Sequence, residues 1–131
     1  MNRVAEFLTA RIGEDEAAAS AVHGWWRAHG ERAIADVSYA AVLIADVDPA
    51  TRAHILRYDP ARALREVEAK RARLALFGRA LTEMDRLLAD DDADKGAQGA
   101  AIGCCEAARS GVELDAAVYS DHPDYRKERD R

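Results

Sequence analysis

His23, His29, His54 and His122 are the only imidazoles in the chain. With Asp59, Asp121 and Asp124 they supply the atom types of a nitrogen/oxygen metal site or of an acid–base pair. Their spacing argues against both. No His-x-x-x-His or His-Glu-x-x-His step places two ligands on one helical turn. A site would need the regions of His54 and His122 to meet in space. Each also has a plainer reading: His54 falls near a helix end, where a cation is favoured by the dipole, and His122 precedes Pro123 in a turn. The sequence therefore assigns no catalytic residue, no metal ligand and no cofactor.

The second concentration of chemistry is cationic. Residues 49–73 hold Arg52, Arg57, Arg62, Arg65, Lys70, Arg71 and Arg73 against Asp59, Glu66 and Glu68, a local balance of +4 in a chain of net charge −5. Arg52, Arg57, Arg62, Arg65 and Arg73 are the candidate nucleic-acid contacts. The interleaved acids favour a solvated, ion-paired face, because Arg62–Glu66 and Glu66–Lys70 are four apart on one helix. No aromatic stacking platform accompanies the bases, and the acidic whole excludes a surface that is basic throughout.

Cys104 and Cys105 are adjacent, poorly placed for a relaxed disulfide, and suit a reducing cytoplasm. The acids of Asp90–Asp94 lack the ligand alternation and closing glutamate of a calcium loop. No signal-peptide core opens the chain, and the longest apolar run, Tyr39 to Ala45, is too short to span a bilayer. These features place the protein in the cytoplasm, away from membranes.

The elements that must position these groups read as helices. The 131 residues suit a single α-helical domain, with residues 120–131 forming a C-terminal turn motif and charged tail. Val4, Phe7, Leu8 and Ile12 mark a first helix continuing towards Val22; the Gly24-Trp25-Trp26 step interrupts it. Ala33 to Val47 reads as helix, with one or two short strands as the alternative. Asp48-Pro49 and Asp59-Pro60 repeat one grammar: a side-chain acceptor at the N-cap and a proline at the first helical position. The first opens a helix to Arg57, closed because the residue before a proline is pushed out of the α region. The second opens the longest helix, about 60–89. Its seam is Val67, Leu74, Leu81 and Leu88 with Ala63, Lys70, Phe77 and Met84, which predicts a facing helix or a second copy. Asp90 to Gly99 reads as loop, and a last helix spans about 100–119.

Two stretches also resemble a family. "HILRYDPARALREVEAKR" and the later "YSDHPDYRKE" are similar to paired motifs of small actinobacterial and actinophage proteins; "FLTARIGEDEAAA" and "GWWR" fit the same pattern. The resemblance implies no activity, since that family has none assigned. Some of its members carry a short Trp-rich, β-like segment where this chain has Gly30 to Val47. Others carry spaced cysteines that could hold a metal, which the Cys104-Cys105 pair does not reproduce.

The expected fold is all-α, a small bundle around helix 60–89. The expected function is a non-enzymatic protein–protein interaction module with an unknown partner or as a homodimer through the seam. Nucleic-acid binding through the 49–73 segment is the alternative, and a metal- or His-dependent enzyme the weakest reading. The candidate docking residues are His54, Asp59, Arg62, Arg65, Asp121, His122, Asp124 and Tyr125. In this reading Asp121 or Asp124 meets Arg62 and Arg65, and Tyr125 covers the junction.

Overall fold

In the computed structural model, residues 2–22, 26–36 and 41–125 are described. His23, Trp25, the middle of the Ala33–Val47 segment and the charged tail lie outside them. The described chain forms α1 (Arg3–Ala21), β1 (Trp26–His29), β2 (Ala33–Asp36), β3 (Ala41–Ile44), α2 (Pro49–Arg57), α3 (Pro60–Leu88) and α4 (Lys95–Ala117).

The all-α expectation is corrected by the sheet. β1, β2 and β3 form an antiparallel meander in that order. Trp26 pairs with Asp36 and His29 with Ala33, so Gly30, Glu31 and Arg32 make a three-residue hairpin loop. Gly30 has φ +58°, a left-handed conformation that costs glycine little. The turn signal is therefore a glycine-led triplet, not an Asn-Gly step, and the alanine-rich segment after it carries no local mark that separates strand from helix. Between β2 and β3 the register shifts. Ile34 faces Ile44 while Ala35 faces Val42, leaving Leu43 as the extra residue of a β-bulge. Asp46, at φ 59°, accepts from Arg32 Nε at 2.8 Å, and Val47 N donates to Arg32 O at 2.7 Å. The exit from β3 is thus tied to the β1–β2 turn.

Both Asp-Pro starts are helix caps. Asp48 Oδ1 accepts from Ala50 N at 3.1 Å and Thr51 N at 3.0 Å. Asp59 Oδ1 accepts from Arg62 N at 2.7 Å. Between them Tyr58 N turns back to Ile55 O at 3.1 Å, closing α2 before the proline of α3.

The chain divides into two compact units, residues 14–67 and residues 1–13 with 68–131. The first holds the sheet, α2 and the start of α3. Ile34, Ala35 and Asp36 are buried there, α2 approaches β1 and β2, and Arg52 Nη1 donates to Gly30 O. The second is organised by an α3–α4 hairpin. Lys70 Nζ donates to Tyr119 OH at 2.6 Å. Arg73 grips Asp115 through Nε at 2.5 Å and Nη2 at 2.7 Å. Gln98 Nε2 donates to Leu87 O at 2.9 Å. Partner numbers fall along α4 as they rise along α3, which defines an antiparallel pair. The seam read from the sequence is buried in part: Val67, Lys70 and Phe77 are buried while Leu88 is exposed, and α4 buries Gln98, Cys105, Val112 and Ala116. The chain's own α4 and Tyr119 just beyond it bond to this helix through Lys70, Arg73 and Gln98.

The start of α4 is a further correction. The helix begins at Lys95 rather than near Ala100, because Asp94 Oδ2 accepts from Ala97 N at 2.8 Å and so caps it. The connecting loop is correspondingly short, held by Asp92 N donating to Asp90 Oδ1 at 3.0 Å. On α4 the adjacent cysteines part company: Cys104 is exposed and Cys105 is buried.

Two outcomes test the caps. Asp59→Ala lowers stability in urea by about 1 kcal/mol, while Asp59→Asn retains most of the cap. The Asp48 carboxyl is held below its ordinary range, first by the Thr51 hydroxyl and then by backbone N–H groups of Thr51 and Ala50. A carboxyl lowered in the folded state stabilises it above the unfolded value, and this is lost as pH falls through the folded value. Protection of the amides at the start of α2, taken relative to the intrinsic exchange rate at each pH, therefore falls on acidification below the usual aspartate range, and Asp48→Asn flattens that response.

Candidate functional site

A gathering of polar and aromatic groups lies where the C-terminal turn meets α1. Phe7 and Arg11 stand four apart, on one face of α1, and both are buried. Arg11 Cζ sits over the Phe7 ring, 5.3 Å from its centroid, a cation–π contact. Past α4 the chain tightens. Tyr119 N donates to Ala116 O, His122 N to Tyr119 O and Tyr125 N to His122 O, at 3.0, 2.9 and 3.0 Å. Successive turns lay three rings around Phe7: Tyr119 at 6.4 Å, His122 at 6.0 Å and Tyr125 at 5.6 Å between centroids. The first two are edge-on, the arrangement that ring quadrupoles prefer.

Arg11 supplies the polar key. Its Nη1 lies 2.6 Å from His122 Nδ1 and 2.5 Å from Nε2, and 3.7 Å from Asp124 Oδ2. A guanidinium only donates, so the imidazole is the acceptor. His122 Nδ1 also accepts from Asp124 N at 3.1 Å, which holds the Asp-His-Pro-Asp turn in shape. Lys70 approaches Tyr119 from the other side, its Nζ 4.6 Å from the ring centroid as well as bonded to the hydroxyl. The result is a packed junction in which cations, a carboxylate and aromatic faces fill one another's needs. Its chemistry is that of a lock.

Each candidate named from the sequence has its own local setting. His122, Asp124 and Tyr125 are in the packed junction; Asp121 is exposed beside it. Asp59 is the α3 cap. Arg62 donates to Glu66 Oε1 at 2.8 Å and Arg57 O at 3.2 Å, and its Cζ stacks 4.6 Å from the Tyr58 centroid. Its charge is held further towards the protonated form by Glu66, then by the nearby Tyr58 and Asp59. His54 is exposed, its ring 4.9 Å from that of Tyr58. Arg57 and Arg65 are exposed, Arg52 serves the Gly30 carbonyl, and Arg73 is held by Asp115. Among the described residues no group of three or more His, Cys, Asp or Glu is arranged to hold a metal ion, and no helix is long and apolar enough to cross a membrane.

Arg11 is the residue that sequence reasoning missed. Its partner His122 is 111 positions away, and the only local signal was the Phe7–Arg11 spacing. Lys70 stands out in the sequence as the polar member of an apolar seam, and position 119 only as the end of the last helix.

A mostly helical chain with a small antiparallel meander, locked at its C-terminal turn, is the class this geometry defines. The chain belongs to the family of unknown function DUF6221, which it matches over residues 1–129. Neither the curated proteins nor the solved structures returned a match.

The lock has a measurable signature. Arg11→Ala and His122→Ala each destabilise the protein by about 1–3 kcal/mol, the first by removing the buried cation over the Phe7 ring and its bond to the imidazole, the second by taking the imidazole acceptor from the buried Arg11 guanidinium. Made together they cost less than the two losses combined, with a coupling of about 0.5–2 kcal/mol in a double-mutant cycle. Additive losses would mean that the pair does not act as a unit.

Proposed function

We propose that this chain is a non-enzymatic protein–protein interaction module that meets its partner through the apolar outer strand of its sheet. One observation carries the reading. Val42, Leu43 and Ile44 are consecutive, apolar and exposed, at 51%, 45% and 37%. In a regular strand alternate residues turn to opposite faces, so three in a row leave apolar surface on both sides of β3. The bulge at Leu43 re-aims that side chain, and it also disfavours simple addition of another strand along this edge. The partner this surface suits presents an apolar concavity to side chains.

The chemistry-bearing residues support the same reading by what occupies them. The His122 cluster joins the C-terminal turn to α1, and the Asp-Pro motifs cap helices. The nucleic-acid alternative has less in its favour: Arg62 and Arg73 each engage a carboxylate on their own chain, and Arg52 a carbonyl.

The test is an affinity capture from host lysate with and without nuclease, comparing wild type with Leu43→Lys. A protein retained after nuclease and lost from Leu43→Lys is the expected result. Partners that vanish with nuclease, together with binding that weakens steeply as salt rises, would replace this reading with the nucleic-acid one. Capture unaffected by Leu43→Lys would remove β3 from the interface.

A further inference from the structure

The junction of α2 and α3 carries more chemistry than its cap requires. Asp59 alone completes the start of α3, yet Arg57, Tyr58, Arg62 and Arg65 stand around it, all within the unit of residues 14–67. Tyr58 is 54% exposed. It is nevertheless held in place. The Arg62 guanidinium carbon lies 4.6 Å from its ring centroid, and the His54 ring lies 4.9 Å from it. Arg62 is fixed in turn by Glu66 Oε1 and by the Arg57 carbonyl. A tyrosine in water that its neighbours already hold still gives up little freedom on binding, and tyrosine and arginine are the side chains on which binding energy concentrates.

Two further guanidinia flank this ring. Arg57 and Arg65 are exposed, and neither side chain forms an ion pair or a hydrogen bond with a described residue. Arg57 directly precedes Tyr58. Arg65 stands three positions beyond Arg62, the spacing of neighbours on one helix face. Arg3 on α1, Arg27 on β1 and Arg79 in the second half of α3 are in the same condition, but each is alone on its stretch of chain.

Helix electrostatics explain Arg57 and oppose the rest. A cation is favoured at the C-terminal end of α2 and disfavoured at the start of α3. The first turn of α3 nonetheless holds Arg62 and no acid, and Arg65 follows in the second. A local rule broken without a gain to the fold marks a group set for something outside it.

Charge complementarity calls for an anion, and the guanidinium fork fits a carboxylate or a phosphate. Two observations select the carboxylate of a peptide. A base stacks on a free aromatic face, whereas the Tyr58 ring already has a guanidinium and an imidazole within 5 Å of its centroid. Glu66 also stands among the arginines; it repels a continuous phosphate backbone, while a peptide can place its acids to either side. We propose that the α2–α3 junction docks an acidic peptide segment of a partner protein, with Arg57 and Arg65 taking its carboxylates and Tyr58 packing between them. The site is distinct from β3, and its test needs no partner captured through that strand, so either surface can fail alone.

The test is the fluorescence anisotropy of a labelled hexaglutamate peptide titrated with the full chain. Saturable binding is expected, weakened at least about tenfold in Arg57→Ala/Arg65→Ala. Arg3→Ala/Arg79→Ala removes the same charge elsewhere and should bind as wild type does. Tyr58→Ala changes no charge and should still weaken binding several-fold. Arg65→Ala should melt at or above the wild-type temperature, because it relieves the α3 dipole; this separates lost contact from lost fold. Equal weakening by the two double variants would reduce the effect to net charge and overturn the site. An oligothymidylate that binds more tightly than the peptide and displaces it would also overturn it, as would no binding at protein concentrations up to about 1 mM.

Discussion

A lysine on an apolar seam admits few registers. Lys70 occupies a position of α3 where its neighbours on the repeat are Ala63 and Phe77, and it is buried. A buried ammonium needs acceptors or the cost of removing it from water is severe. The Tyr119 hydroxyl of α4 is one. Sliding α4 by one turn would strand both groups, and would also separate Arg73 from Asp115 and Gln98 from the end of α3. Polar residues at seam positions are known to fix register at some expense of stability. Here the register has a further effect, because Tyr119 begins the turns that carry His122 and Tyr125. The position of one ammonium therefore decides whether three rings close around Phe7.

Alanine explains why polar ties carry so much. Among the described residues, Leu8, Ile12, Ile34, Val67 and Val112 are the largest side chains that are fully buried. Helices lined with alanine and glycine approach closely, but each contact buries little area. Directional bonds at the ends of the α3–α4 pair, and a guanidinium on an imidazole at the chain terminus, supply the specificity that bulky side chains provide elsewhere. The same economy leaves the outer face of α4 and the bulged strand with apolar groups in water.

How far the sequence could be read followed the range of the interactions. The Asp48-Pro49 and Asp59-Pro60 starts were legible because a cap is complete within four residues. The α3 seam was legible because its period repeats over four heptads. The sheet was not. Its turn is a three-residue loop led by Gly30, and its strands are four residues long with alanine at several positions, so propensity favoured helix until pairing overrode it. The C-terminal motif reads as a turn that docks on the Asp59-Pro60 helix start; its contacts with Phe7 and Arg11 join residues more than a hundred positions apart, which no local pattern announces. The start of α4 was placed late because Asp94 looked like one more acid in an acidic loop.

The split between Cys104 and Cys105 gives the molecule a built-in clock. A thiolate must be reached by solvent before it reacts, so a thiol reagent should consume one equivalent quickly and the second only as the α3–α4 hairpin opens. When reclosing outpaces labelling, the slow phase reports the population of that open form, as proteolysis of transiently open states does. Two neighbouring sulfurs, alike in chemistry and separated only by helical rotation, thereby act as a surface reference and a core reporter within one turn of helix.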